Sequence, residues 1–288
     1  MACLHFIVPY RERPEQLALF EVHMHAYLKR NGVDDYVMWI IEQSPDGRPF
    51  NRGAVRNAGV REVIAAYGDT CVVCFHDVDT LPLIDGLPYG APRSSQHSVT
   101  HIYGHTHCLG GVLCARAAAI VAADGYPNSL WGWGREDALL EERVARTAGK
   151  DAIDRSALCQ RWVSASFCEV PSGERIRAGW CVPAAGAEAL AAALESKRDF
   201  MLLFKRRVAS GEYSRVAARA KEIAAAGDAA NDGLRALRYR VVRREGCGGG
   251  AGRTRRVVVE LLEARAPASV GAGAGGGEEE EEEEESLD

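Results

Sequence analysis

Thr70-Cys71-Val72-Val73-Cys74-Phe75-His76-Asp77-Val78-Asp79 is a short apolar run that ends abruptly in three ionisable side chains. Residues 70–75 lack the apolar/polar alternation of a half-exposed strand and read as a strand buried on both faces. Polar groups at the C-terminal end of such a strand lie where open α/β sheets bind their ligands. Working outward, 4–8 reads as a strand closed by Pro9, 14–29 as an amphipathic helix, 36–41 as a second strand and 54–67 as a second helix. Strands alternating with helical patterns define an α/β layered domain.

Downstream, 82–104 is rich in Pro, Gly and Ser and predicts loops around a short strand at 97–102. Residues 113–123 read as a helix stopped by Asp124-Gly125-Tyr126-Pro127, and 136–147 as another helix. The Ala-rich stretch from about 150 to 199 predicts a peripheral helical insertion, and 215–226 a further helix. Strands at 237–243 and 255–262 flank the glycine-rich 246–252, which predicts an antiparallel hairpin with a flexible turn. The expected organisation is one domain over 1–265, followed by a disordered Gly/Ala and polyglutamate tail over 266–288 that has no means of burying a core.

The 288 residues are 47% hydrophobic, enough for one large core. Their net charge of −5 includes nine acids within 278–288, so the body carries only about +4. That balance is too mild and too dispersed for a nucleic-acid binder but compatible with a small anionic ligand. Met1-Ala2-Cys3 runs straight into the first strand without a signal-peptide pattern, and no apolar run reaches the roughly 18 residues of a membrane span. The chain as given is expected to be soluble, its compartment unassigned. Nine scattered cysteines without a zinc-type arrangement predict mostly reduced, buried thiols.

Two segments carry chemistry. Asp77-Val78-Asp79 places two carboxylates at i and i+2, which on an extended segment point the same way; one can meet a hard divalent cation and the other a ribose hydroxyl. An Asp-rich turn cap is the plain alternative. Trp131-Gly132-Trp133-Gly134-Arg135-Glu136-Asp137 sets two indoles and two acids on a glycine-hinged loop. Such a loop suits a lid, with an indole to stack on a sugar or donate N–H to a phosphate and an acid to act as general base. The plain alternative is core tryptophans and acids capping a helix.

With Pro9-Tyr10-Arg11-Glu12-Arg13, Phe50-Asn51-Arg52-Gly53, Gly110-Gly111-Val112, Gly125-Tyr126-Pro127-Asn128 and Asp232-Gly233-Leu234, these segments occur in the order and approximate spacing of the beta-1,4-galactosyltransferase family, glycosyltransferase family 7, which the chain resembles over 5–145 and again near 200–262. The resemblance implies a GT-A type, Rossmann-like mixed sheet flanked by helices. It also implies inverting transfer of galactose or N-acetylgalactosamine from UDP-galactose or UDP-GalNAc to a glycan or glycoconjugate acceptor. By position, Pro9, Arg11, Arg13, Phe50 and Arg52 would meet the nucleotide, Asp77 and Val78 its ribose, and Trp133 the donor as lid tryptophan. Asp79 would bind Mn²⁺ or Mg²⁺, Glu136 would contact the acceptor, and Asp137 would be the base. Arg135 is similar to the branch that galactosylates xylose.

The chain departs from this pattern in three places. The family's histidine metal ligand is absent: no histidine follows His107, and Met201-Leu202-Leu203-Phe204 is read as occupying its place, leaving Met201 a weak soft ligand. His97, His101, His105 and His107 are candidates to compensate. Cys108 stands where galactose-specific relatives have tyrosine, which leaves room for a 2-acetamido group. Ala138 removes one acid from the run after Asp137. From another functional class, a catalytically silent UDP-sugar- or glycan-binding protein on the same fold is compatible with the missing histidine.

Overall fold

Every residue of β1 (Leu4–Tyr10) is buried, because parallel strands flank it on both sides and helices cover both faces of the sheet. The computed structural model describes residues 3–246 and 252–262. After β1 come α1 (Pro14–Arg30), β2 (Tyr36–Gln43), α2 (Arg52–Tyr67), β3 (Val72–Phe75), β4 (Thr80–Pro82), β5 (Val99–Gly104), β6 (Val112–Arg116), α3 (Ala117–Ala122) and α4 (Glu136–Ala148). The second half adds β7 (Ile153–Asp154), β8 (Cys159–Gln160), β9 (Phe167–Glu169), α5 (Gly173–Arg177), α6 (Ala187–Ala209), α7 (Glu212–Ala226), β10 (Tyr239–Glu245) and β11 (Arg253–Leu261).

Among the described residues, nine strands form one mixed sheet in the order β10-β11-β2-β1-β3-β6-β5-β7, with β8 beside β5. β1, β2 and β3 run parallel, β6 runs antiparallel between β3 and β5, and β11 joins β2 in parallel while pairing antiparallel with β10. One apolar cluster lies under α2, α3 and α4, and a second under α1. A two-stranded sheet, β4 with β9, sits at the end of β3. The expected turn at 246–252 falls mostly, and the tail from 266 wholly, outside the described residues.

Two expectations are corrected. The segment read as one helix over 113–123 is a strand, β6, followed by a six-residue helix. Val112, Leu113, Cys114 and Ala115 are fully buried between β3 and β5, so sheet pairing outweighs the helical propensity of an Ala-rich run. The 150–199 stretch is not simply a peripheral insertion. It returns three strands to the protein, and β9 brings Glu169 opposite Thr80, directly beyond Asp79. The eight described cysteines are all free, but only four of them are buried, fewer than the expected mostly buried set.

α2 lies on β1 and β2 at a glycine. A Cβ at Gly59 would stand 2.5 Å from Ile7 Cγ2 and 3.0 Å from Ile41 Cγ1, so any side chain there forces the helix off the sheet. Gly59→Val should cost about 2 kcal/mol through overpacking. Urea denaturation should show a lower midpoint with an unchanged slope; an unchanged midpoint would mean the contact is not tight.

Candidate active site

Asn51 starts α2. Its side chain accepts from Ala54 N at 2.9 Å, while Gln43 Oε1 accepts its own N–H at 2.8 Å. This cap fixes the first turn, and Arg52 and Arg56, four residues apart, consequently share a face directed at the C-terminal end of β3. Arg52 donates to Glu136 at 2.7 Å, to Asp137 Oδ2 at 2.5 Å and to Asp77 at 3.2 Å. Arg56, with no exposed surface, donates to Asp77 Oδ1 at 2.7 Å, Asp137 Oδ1 at 2.9 Å and Tyr126 Oη at 3.2 Å. Two guanidinium groups thus tie together three carboxylates from the β3 turn and the start of α4.

The Gly125-Tyr126-Pro127-Asn128 segment is held against the same helix. Asn57 donates to Tyr126 O at 2.7 Å and accepts from Tyr126 N at 2.9 Å. A Cβ at Gly53 would approach Pro127 O to 2.7 Å, so this glycine is required for the close approach. Arg135, with φ of 73°, precedes Glu136 and Asp137 in the first turn of α4. Gly110 lies against Asp137: a Cβ there would meet its Oδ2 at 2.7 Å, and Leu109 N donates to Asp137 O at 3.3 Å. Cys108 is therefore beside the expected base, its thiol pushed up to about 11 by burial and by Asp137.

Charge in this cluster is uneven. Burial opposes ionisation of Asp77, but Arg52 and Arg56 outweigh it and hold the carboxyl down at about 2. Burial dominates at Asp137 and, with Glu136 adding repulsion against the pull of Arg52, pushes it up to about 6.

Several expectations shift. Residues 77–80 form a turn, with Thr80 N donating to Asp77 O at 3.2 Å, so the two aspartates do not point the same way. Asp77 is spent on Arg52 and Arg56, whereas Asp79 reaches Arg13 at 2.8 Å in a half-exposed pair. Val78 between them is buried. Arg11 donates to Arg48 O at 2.8 Å and lies 5.7 Å from the Phe50 ring, beside Pro9 at the end of β1. Arg52, expected at the nucleotide, is engaged by the three acids.

Trp133 packs on Phe200 (5.3 Å), Phe204 (5.8 Å) and Tyr213 (6.1 Å) between centroids, with Arg207 over its ring. Phe204 is thus part of the tryptophan's aromatic seat. Met201, on the same helix, is 39% exposed, and the strand paired beside Asp79 is β9 rather than the 201–204 segment. Of the histidines, His101 bonds Gly110 O at 2.8 Å, His105 stacks on His107 at 5.2 Å, and His97 lies 3.8 Å from Asp154. Among the described residues no group of three or more His, Cys, Asp or Glu side chains could hold a metal. One half-exposed carboxylate fits a cation that arrives with a diphosphate, not one caged by protein alone.

Sequence reasoning missed Arg56, Arg161 and Glu169. Arg56 was signalled by its four-residue spacing from Arg52; the other two had no local signal.

An acidic, arginine-braced cluster at the C-terminal end of β3 in a mixed sheet flanked by helices fits a GT-A glycosyltransferase domain. The model for the N-terminal region of glycosyl transferase group 7 matches residues 2–91, and that for the N-terminal domain of galactosyltransferase matches 93–164. The chain belongs to this glycosyltransferase 7 family. It is 34% identical to beta-1,4-galactosyltransferase 7 of Mus musculus over 143 residues, 48% of this chain and 42% of that protein. It is 36% identical to beta-1,4-galactosyltransferase 7 of Drosophila melanogaster over 151 residues, 50% of this chain and 44% of that protein. The chain spans less than half the length of these curated relatives. The crystal structure of the catalytic domain of the Drosophila enzyme with xylobiose superposes with a TM-score of 0.59 at 23% identity, covering 91% of this chain and 95% of that one. A mutant of that enzyme has been solved with manganese, UDP-Gal and xylobiose.

Arg56→Met leaves Asp77 and Asp137 short of one buried countercharge and should destabilise the fold by about 3–5 kcal/mol. Equilibrium denaturation measures it; a loss below about 1 kcal/mol would show that Arg52 alone suffices. Gly110→Ala should displace the Asp137 carboxylate while the fold keeps its denaturation midpoint to within a few tenths of a molar in urea.

Proposed function

We propose that the chain transfers galactose or N-acetylgalactosamine from a UDP-sugar to a sugar hydroxyl with inversion. The observation that carries this reading is Asp137: a largely enclosed carboxyl at the start of α4, bonded by both Arg52 and Arg56 beside the end of β3, in a chain of this family. In the proposed step Asp137 accepts the proton of the acceptor hydroxyl as its oxygen bonds to the anomeric carbon. The bond from that carbon to the UDP oxygen breaks on the opposite face, which inverts the centre. In this reading Glu136, held by Arg52, would bind the acceptor and Trp133 would cover the donor. Arg11, Arg13 and Phe50 with Pro9 offer cationic and aromatic contacts to the nucleotide. Asp79 would hold a divalent cation, Mn²⁺ or Mg²⁺, with the donor's phosphates completing its shell; when bound, that cation neutralises charge on the leaving diphosphate. The exposed Arg13 pairing is weak enough to yield to it.

Xylose, glucose and N-acetylglucosamine glycosides are the acceptors to try, since the Drosophila relative was solved with xylobiose. Cys108 beside Asp137 leaves space that favours UDP-GalNAc as a second donor. No helix among the described residues is long and apolar enough to cross a membrane.

A second reading, a silent UDP-sugar-binding protein, is favoured by one feature: both oxygens of Asp137 accept from arginine. Each carboxylate oxygen retains a further acceptor site, so a hydroxyl can still be engaged. Metal-supplemented sugar release from UDP-Gal and UDP-GalNAc, with and without acceptor, separates the two; acceptor-stimulated release supports the enzyme, and donor binding without release supports the silent protein.

Asp137→Asn should lower transfer at least about 100-fold with UDP affinity within about twofold of wild type. Because the base works deprotonated, kcat/KM should be level above pH 6 and fall about tenfold per unit below it; a flat profile down to pH 5 would remove Asp137 from the role. Cys108→Tyr should shift the donor ratio toward galactose, and an unchanged ratio would refute the pocket.

A further inference from the structure

β9 carries a second ion pair up to the DxD turn. Val170 N donates to Asp79 O at 2.6 Å, and Glu169 stands opposite Thr80 in the β4–β9 ladder. The Glu169 carboxylate accepts from Tyr103 Oη at 2.8 Å and from Arg161 Nη2 at 2.9 Å. Arg161 is mostly enclosed, its side chain 21% exposed, and its Cζ lies 5.0 Å from the Trp162 ring and 5.9 Å from the Phe200 ring. Phe200 in turn touches Trp133. Arg161 therefore stands between the turn that bears Asp79 and the tryptophan loop, and its charge acts on Asp79 and Asp77 as well as on Glu169.

Two buried polar atoms here have no partner: Arg161 Nε and the neighbouring Trp162 Nε1. Both are obligate donors, so the group that would satisfy them is an acceptor, and beside a guanidinium an anionic one. Among the described residues the carboxylates here, Asp79 and Glu169, are not part of any group of three or more His, Cys, Asp or Glu side chains that could hold a metal. With Glu169 bonded at Nη2, the guanidinium keeps its Nε–H donor for a further oxygen, and a phosphate supplies such oxygens.

We propose that Arg161 is a fixed cation for the diphosphate of the donor, acting beside the cation site at Asp79, so that the chain still distinguishes a nucleoside diphosphate from a monophosphate when divalent ions are removed. The proposal rests on the UDP-sugar reading given above. It assigns the second phosphate to a residue of β8–β9, a stretch whose sequence carries no motif.

Calorimetric titration of the full chain with UMP and UDP in excess EDTA tests it. Wild type should bind UDP at least about tenfold tighter than UMP, the scale of one charge-assisted contact. Arg161→Met combined with Glu169→Gln removes both charges, keeps similar volume and leaves Tyr103 an acceptor; UMP affinity should persist and the UDP advantage should vanish. Arg161→Lys keeps the charge without the planar fork and should bind UDP several-fold less tightly, UMP unchanged. An undiminished UDP advantage in both variants, or equal UMP and UDP affinities in wild type, overturns the role of Arg161 while leaving the nucleotide site standing. Failure of wild type to bind UMP even with Mn²⁺ overturns the nucleotide reading and this proposal together.

Discussion

Arg56 is the side chain on which the site depends. It is wholly enclosed, yet its head group spans the turn after β3 and the first turn of α4 through Asp77 and Asp137. Burying a cation is tolerable only with charged partners in good geometry, and removing one partner strands the others. The network therefore works as a unit with Arg52, which adds Glu136 and a second bond to Asp137. Two segments sixty residues apart in sequence are held in fixed relation by one helix face. The same enclosure holds Asp77 below the usual carboxylate range through Arg52 and Arg56 and, through burial, raises Asp137 above it.

Around this ionic centre the chain uses close backbone contact and aromatic packing. Gly53 and Gly110 let Pro127 and Asp137 approach where a side chain would block them. Trp133 rests on α6 and α7 through Phe200, Phe204 and Tyr213, so the loop that would close over a donor is seated on rings. Phe204, in the segment read from the sequence as the place of the family's metal histidine, is one of those rings, and the strand beside Asp79 is β9 instead. At the end of the sheet that bears Asp79 the acids face arginines, Arg13 on Asp79 and Arg161 on Glu169.

The α/β class, the buried strand before the DxD turn and the acids at the start of α4 were all legible, because each is set by residues within a few positions of one another. Asp79, Trp133, Glu136 and Asp137 could be named from local motifs for the same reason. The strand β6 was misread: within 113–123 the Ala-rich composition suggests a helix, and only pairing with β3 and β5 on either side makes its first part a strand. The stretch at 150–199 was read as peripheral because its composition carries no periodicity, although β9 is buried through its contact with β4.

The sequence by itself determined which side chains could do the chemistry, since residue type and short-range spacing are local properties. Only the tertiary structure decided how they share charge. Asp77 and Asp79 are two residues apart and chemically identical, yet one is locked by two guanidinium groups, that of Arg56 fully buried, and the other faces a single half-exposed arginine. That difference comes from which distant segments fold against each, and in an interior of low dielectric such neighbours set the ionisation of a carboxylate far more strongly than its own place in the chain.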